Sequence, residues 1–147
     1  MQDKKPMDTI TLFREVLGDR MDGLILPPPS FTVMASAIIE YDAVAQSLIT
    51  KIPVLEQWLN PYGTMQGGMI DAAIDNALGP LSLLIAPANM TRTMETKFLK
   101  TITLELDYIY VKAVLVEAKK RRLTFDVTVL DASYVVYAHS RVVNFII

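Results

Sequence analysis

The chain has 147 residues, 52% of them hydrophobic, which suits one domain with a full-sized core. Its formal net charge of −2 and pI of about 5.3 give no broad basic surface of the kind that nucleic acid requires. Cysteine is absent and histidine occurs once, at His139, which excludes a disulfide framework, thiol catalysis and Cys- or His-rich metal sites.

At the N-terminus there are two lysines, Lys4 and Lys5, but no apolar leader core. Within residues 8–22, Ile10, Phe13, Val16, Leu17 and Met21 fall at helical spacings, Asp8 or Thr9 can cap the start, and Gly23 follows the end. Pro27, Pro28 and Pro29 then force an extended connection, because proline fixes φ and lacks a donor. Residues 1–29 are read as a helical extension and proline-rich linker, and 30–147 as the core of a single domain. The alternation of Phe31, Val33, Ala35, Ile39 and Tyr41 with Thr32, Ser36 and Glu40 predicts a strand over 30–42. Residues 46–52 predict a second strand, followed by an irregular stretch that holds the sole tryptophan, Trp58.

Residues 60–76 read NPYGTMQGGMIDAAIDN. Gly67 or Gly68 opens a helix that runs to about Gly79, with Pro80 ending or kinking it and a short continuation to Ile85. Met69, Ile70, Ala72, Ala73, Ile74, Ala77 and Leu78 leave it almost no polar face, the mark of a buried helix. The longest apolar stretch, residues 77–88, is interrupted by Pro80 and Ser82 and is too short for a bilayer, so a soluble, cytoplasmic protein without a membrane partner is expected.

A polar connection is expected over 89–96, and then four β-rich segments at 101–111, 113–119, 123–130 and 134–146. Residues 107–119 hold no Gly, Pro, Asn or Ser on which to turn. Either 111–113 turn without the usual turn formers, or a loop is missing there. The order of two strands, one buried helix and a run of strands is α+β, with a mostly antiparallel curved sheet around one long helix.

The chemistry concentrates in 60–76. A helix start leaves its first N–H groups unpaired and partly positive, so the amides of Gly67, Gly68 and Met69 can polarise a carbonyl oxygen. Asp71 sits in the first turn, where an acid complements the helix dipole. Asp75 lies two turns in among Ala72, Ile74 and Leu78. There it either ties the helix to a Thr, Tyr or backbone N–H, or acts as a hydrolytic carboxylate whose pKa is raised by burial and by Asp71 one turn away. Gly67 and Asp75 are about 12 Å apart along one helix, too far to act on a single carbonyl, so joint action requires two subunits.

The pattern Asn60-x-x-Gly63-x-x-Gln66-Gly67-Gly68 followed by Asp75 resembles the hotdog-fold acyl-CoA thioesterases of the phenylacetate-degradation (PaaI) type. The resemblance spans residues 30–147 and implies a curved sheet wrapped around a central helix, with homodimers that often pair into tetramers. It implies an acyl-CoA substrate, no cofactor and no metal. Asp75 becomes the nucleophile or general base, the Gly67 amide the oxyanion donor from the other subunit, and Asn60 the group that positions thioester or water. Thr101 and Thr103 are the candidates for a water-holding hydroxyl on the strand after the helix. Gln66 stands where that family has His; it can hydrogen-bond but cannot titrate near neutrality, which keeps a non-catalytic acyl-CoA or lipid-like ligand binder as the alternative.

Around this motif, Trp58 and Tyr62 either line an acyl or pantetheine channel or pack the core, and Met65, Met69, Met90 and Met94 either wall a pocket or fill the core. Residues 119–122, Lys-Lys-Arg-Arg, are read as a solvated hairpin turn, and His139 as structural.

Overall fold

A computed structural model describes residues 1–147. The elements in chain order are α1 (Thr9–Leu17), α2 (Pro29–Val33), β1 (Ala37–Asp42), β2 (Ser47–Pro53), α3 (Gly67–Ile85), β3 (Asn89–Phe98), β4 (Tyr108–Lys119), β5 (Arg122–Leu130) and β6 (Val136–Ile146). The six strands form one antiparallel sheet in the order β1-β2-β4-β5-β6-β3, and α3 packs against its inner face. Ile52, Ile109, Val111, Phe125, Val127 and Val142 supply that face, and Ala73, Ile74, Ala77, Leu78 and Leu81 meet them from the helix. Register shifts at Ile38/Glu40, Thr91/Thr93, Leu115/Glu117 and Val129/Leu130 bend the strands, which lets the sheet curve around α3.

Asp8 caps α1 by accepting from the Thr11 amide. Leu12, Phe13 and Leu17 of this helix belong to the main core, and Arg20 Nη2 donates to the Ala86 carbonyl at the end of α3 at 2.8 Å. A cation on the last carbonyls of a helix satisfies orphan acceptors and complements the dipole. Residues 1–29 therefore complete the core and fix α3, rather than forming an appendage.

Three expectations are corrected and one open reading is decided. Residues 30–42 are not one strand: Pro29 starts the short helix α2, whose first position suits proline's fixed φ, and β1 begins only at Ala37 after Ala35 at φ 51. Of the readings open at Pro80, helix α3 takes the continuation, running from Gly67 through Pro80 to Ile85. A proline inside a helix costs about 3 kcal/mol, whereas burying Leu78, Leu81 and Leu84 contributes about 1.5–3 kcal/mol each, so burial wins. Residues 107–119 contain neither a turn nor a gap; β4 is one continuous twelve-residue strand. The expected polar connection at 89–96 is part of β3, a ten-residue edge strand.

Helix α3 is long and apolar enough by length and composition to cross a membrane, but the curved sheet covers most of its apolar surface. Its more open stripe runs through Gly68, Asp71, Ala72, Asp75, Gly79 and Leu83 at near i, i+4 steps. Asp71 and Asp75 in that stripe meet β3.

Candidate active site

Helix α3 and strand β3 run in opposite directions and are joined at three levels. Thr91 Oγ1 donates to Asp75 Oδ1 at 3.2 Å, and Thr96 Oγ1 donates to Asp71 Oδ1 at 2.6 Å. At the start of the helix, the Phe98 ring lies against Gly67, whose position for a Cβ is 3.5 Å from Phe98 Cζ. Thr96 also shares a 2.9 Å hydrogen bond with Ser140 on β6, so Asp71 belongs to a polar clamp that holds α3 to β3 and β6.

Asp75 is exposed in the single chain, not buried as its apolar neighbours led us to expect. It stands on the wall of an open cleft of about 630 Å³, together with Leu24, Leu83, Met90, Thr91 and Asn144. Crowding by the surrounding atoms nevertheless raises its carboxyl pKa above the ordinary aspartate value, and the Thr91 hydrogen bond opposes the rise. The expected repulsion from Asp71 is not among the causes.

At the other end of α3, residues 60–64 form a tight loop closed by the Leu59–Met65 bridge, with Gly63 at φ 77. Asn60 organises this loop: its Oδ1 accepts from the amides of Tyr62 and Thr64, and its Nδ2 donates to Thr64 Oγ1. The side chain expected to position a thioester is thus largely engaged within its own loop. Gln66 precedes α3 in extended conformation with φ −60 and ψ 136, and its exposed side chain makes no capping hydrogen bond. Its amide donates to the Trp58 carbonyl, and its carbonyl accepts from the amides of Met69 and Ile70. The Met69 amide is therefore occupied, contrary to expectation. The amides of Gly67 and Gly68 have no acceptor within the chain, which leaves two free donors at the positive end of a nineteen-residue helix.

Gly67 lines a second cleft of about 270 Å³ with Thr64, Met65, Phe98, Lys100 and Thr101. Thr101 and Thr103 do not lie on the strand after the helix but in the loop from β3 to β4, and the Thr103 hydroxyl accepts from the Glu105 amide. The threonine that meets Asp75 is Thr91, which sequence reading placed in a connection. Three threonines within 91–96 were the available signal for a strand there. Tyr62 is 90% exposed at its loop tip, Trp58 packs partly into the core, Met65 is buried and Met90 lines the Asp75 cleft. His139 lies beside Lys97 and Thr128 in the sheet and outside both clefts.

No family model and no curated protein matches the chain. Solved structures do. The PaaI protein of E. coli, from the phenylacetic acid degradation operon, superposes with a TM-score of 0.77 at 14% identity, over 95% of this chain and 96% of its own. The chain has the hotdog fold. A hypothetical thioesterase protein of Streptococcus pneumoniae TIGR4, solved with coenzyme A, matches with a TM-score of 0.70 at 18% identity, over 76% of this chain and 85% of its own. The smu.793 protein of Streptococcus mutans UA159, bound to acetyl CoA, gives 0.72 at 19% identity, over 86% and 94%. Two further structures of the S. pneumoniae protein carry alanine in place of an aspartate and of a threonine sixteen positions later. A match over 95% of the chain reaches beyond residues 30–147, so the N-terminal segment is part of the hotdog likeness rather than outside it.

Proposed function

We propose that this hotdog protein is an acyl-CoA thioesterase whose active site is shared by two subunits. The observation that carries the reading is the pairing of an open-cleft carboxylate of raised pKa, Asp75, with two unpartnered helix-start amides, Gly67 and Gly68. In one chain Asp75 and Gly67 line different clefts, about 12 Å apart along α3.

The edge strand supports a route to bring them together. β1, at one margin of the sheet, is approached by the N-terminal segment, whose Met7 amide donates to the Ile38 carbonyl, while β3, the ten-residue strand at the other margin, pairs with β6 on one side and leaves its outward-facing backbone groups open. Antiparallel pairing of β3 with its copy about a two-fold axis sets the Thr91 end of one strand opposite the Phe98 end of the other. Since Asp75 is tied to Thr91 and Gly67 lies against Phe98, the carboxylate of each subunit then approaches the amides of its partner.

In this arrangement the Asp75 carboxylate takes a proton from water, and the resulting hydroxide attacks the thioester carbonyl carbon. The oxyanion is held by the Gly67 and Gly68 amides of the partner. On collapse the C–S bond breaks, the carbonyl re-forms, and the proton on Asp75 passes to the departing thiolate, giving carboxylic acid and free thiol. Direct attack by Asp75, through a mixed anhydride that water then cleaves, is the other route open to the same residue. The reaction requires no metal or redox step. Glutamine at position 66 does not remove the oxyanion donors, because these belong to the backbone. The coenzyme A ligands of the two streptococcal neighbours favour a CoA thioester as the substrate class. In the S. pneumoniae protein the substituted aspartate and threonine have the same separation as Asp75 and Thr91, which favours this pair as the reacting centre.

The test is thiol release from a panel of short, long and aromatic acyl-CoAs. Hydrolysis of at least one is expected. Binding of acyl-CoA without turnover of any would make the chain a ligand-binding hotdog protein and assign Gln66 the loss of catalysis.

A further inference from the structure

Strand β3 carries charges on one face and its contacts with α3 on the other. Met94 packs against the core, Thr96 donates to Asp71 and Phe98 lies on Gly67, so these three side chains turn inward. By alternation Glu95 and Lys97 stand on the outer face, where they line an open polar hollow with His139 and Arg141. Both are exposed, and neither forms an ion pair within the chain. Arg141, across from Glu95 on β6, binds Asp126 at 2.8 Å instead. A carboxylate and an ammonium two residues apart on an open edge strand are thus left for a partner.

The backbone is free at the same place. The Leu99 amide donates to the Tyr137 carbonyl, and the Glu95 carbonyl accepts from the Ser140 hydroxyl, so residues 95, 97 and 99 direct their backbone groups towards β6. Alternation then turns those of Met94, Thr96 and Phe98 outward. When β3 pairs with its own copy about a two-fold axis, facing residues share one face of the sheet, so the axis passes at a residue and not between two. An axis at Glu95 or at Lys97 sets that charge against its own copy. An axis at Met94 brings Lys97 against the bulge at Thr91/Thr93, which carries Arg92. With the axis at Thr96, each Glu95 stands directly opposite the partner's Lys97, twice by symmetry, and Met94 stands opposite the partner's Phe98.

The helix points to the same position by a separate route. Asp71 is midway between Gly67 and Asp75, about 6 Å from each along α3. An axis at the level of Asp71 therefore carries the partner's Gly67 to the level of Asp75. Asp71 is the acid that Thr96 holds at 2.6 Å. Resting on the two-subunit thioesterase reading for this second argument, we infer that a second copy of the chain docks on β3 with the two-fold axis at Thr96, and that reciprocal Glu95–Lys97 pairs across the axis set this register.

The test compares Glu95→Lys, Lys97→Glu, the double exchange and an equal mixture of the two single variants by sedimentation at low salt, with melting curves to establish that each chain is folded. Each single variant should dissociate about tenfold more readily than the wild type, because two attractive pairs become two repulsive ones. The double exchange and the mixture should both regain wild-type association, and the differences should fade as salt rises. An axis at Glu95 would leave Lys97→Glu unaffected, and one at Lys97 would leave Glu95→Lys unaffected; either result overturns the register. So would a monomeric wild type, or a double exchange that stays dissociated.

The chain has no cysteine, so Glu95→Cys mixed with Lys97→Cys reads the register directly. A disulfide between the two variants is expected, at a pair that shares no backbone hydrogen bonds and whose strands therefore lie closest. Cross-linking of either variant only with itself, or none, would overturn the inference. Association is read without substrate. A dimer of this register that hydrolyses no acyl-CoA would sustain the interface and refute the thioesterase.

Discussion

Replacing Asp75 with Asn should lower thioester hydrolysis by about 10²- to 10⁴-fold, the usual contribution of a positioned general base, and at the same time raise the melting temperature at neutral pH. The two effects share one cause. Crowding holds the Asp75 carboxyl above its ordinary pKa, with the Thr91 hydrogen bond as a smaller opposing influence. The unfolded chain releases this proton at a lower pH than the folded chain does. Below the unfolded pKa both states are protonated and the residue is neutral towards stability; as pH rises through the folded pKa, ionisation favours the unfolded state. Asparagine removes that penalty and keeps an oxygen that can accept from Thr91. The gain in melting temperature should therefore be present at neutral pH and shrink on acidification. Retained turnover in Asp75→Asn would remove the residue from the mechanism, and a lower melting temperature would contradict the crowding of its carboxyl.

The pH dependence of kcat/KM tests the same group from another side. The proposed mechanism requires the carboxylate, so the acidic limb should fall with an inflection above the ordinary aspartate value. The Thr91→Val variant lacks the hydrogen bond that lowers this pKa, and its inflection should lie higher still. An unmoved inflection would mean that Thr91 anchors the helix to β3 without tuning the acid.

Much of this candidate site was legible in the sequence because its determinants are local. Gly67-Gly68 at a helix start and Asp75 two turns later are fixed by spacing along one element, and so was the argument for a second subunit. What the sequence hid depends on partners distant in the chain. Strand β3 is mostly polar, since one of its edges is open and only Asn89, Met94 and Thr96 are half-buried, so its residues read as a connection and Thr91 went unnoticed. Residues 107–119 seemed to need a turn because a strand that long is unusual, whereas a bulge at Leu115/Glu117 lets β4 curve without one. Asn60 carried a plausible role by position, but the hydrogen bonds that engage it with Tyr62 and Thr64 emerge only once Gly63 closes the loop.

The proposed two-subunit site makes a prediction that a site within one chain cannot share. An oxyanion donor on the backbone is removed only by proline, and of the two donor positions Gly67, at the first residue of the helix, is the one that suits it. It is the first residue of α3, the residue before it is already extended at φ −60 and ψ 136, and a Cβ there would make an ordinary 3.5 Å contact with Phe98. Gly67→Pro should fold and lose about 10²- to 10³-fold in kcat, whereas Gly67→Ala keeps the N–H and should remain close to wild type. Now let Asp75→Asn and Gly67→Pro chains be mixed and allowed to exchange. In a mixed dimer one site receives both defects, and the other receives the intact Asp75 of one chain and the intact Gly67 of its partner. Random assortment at equal amounts makes half the dimers mixed, each with one good site, so about one quarter of wild-type activity should return from two nearly inactive parents. A site contained in one chain would stay inactive in every combination, because each chain carries its own defect. Recovery of activity, read beside a sizing measurement that establishes the mixed dimer, would locate Asp75 and Gly67 on opposite sides of one interface; its absence in a demonstrated mixed dimer would return both residues to a single chain and leave the 12 Å between them unbridged.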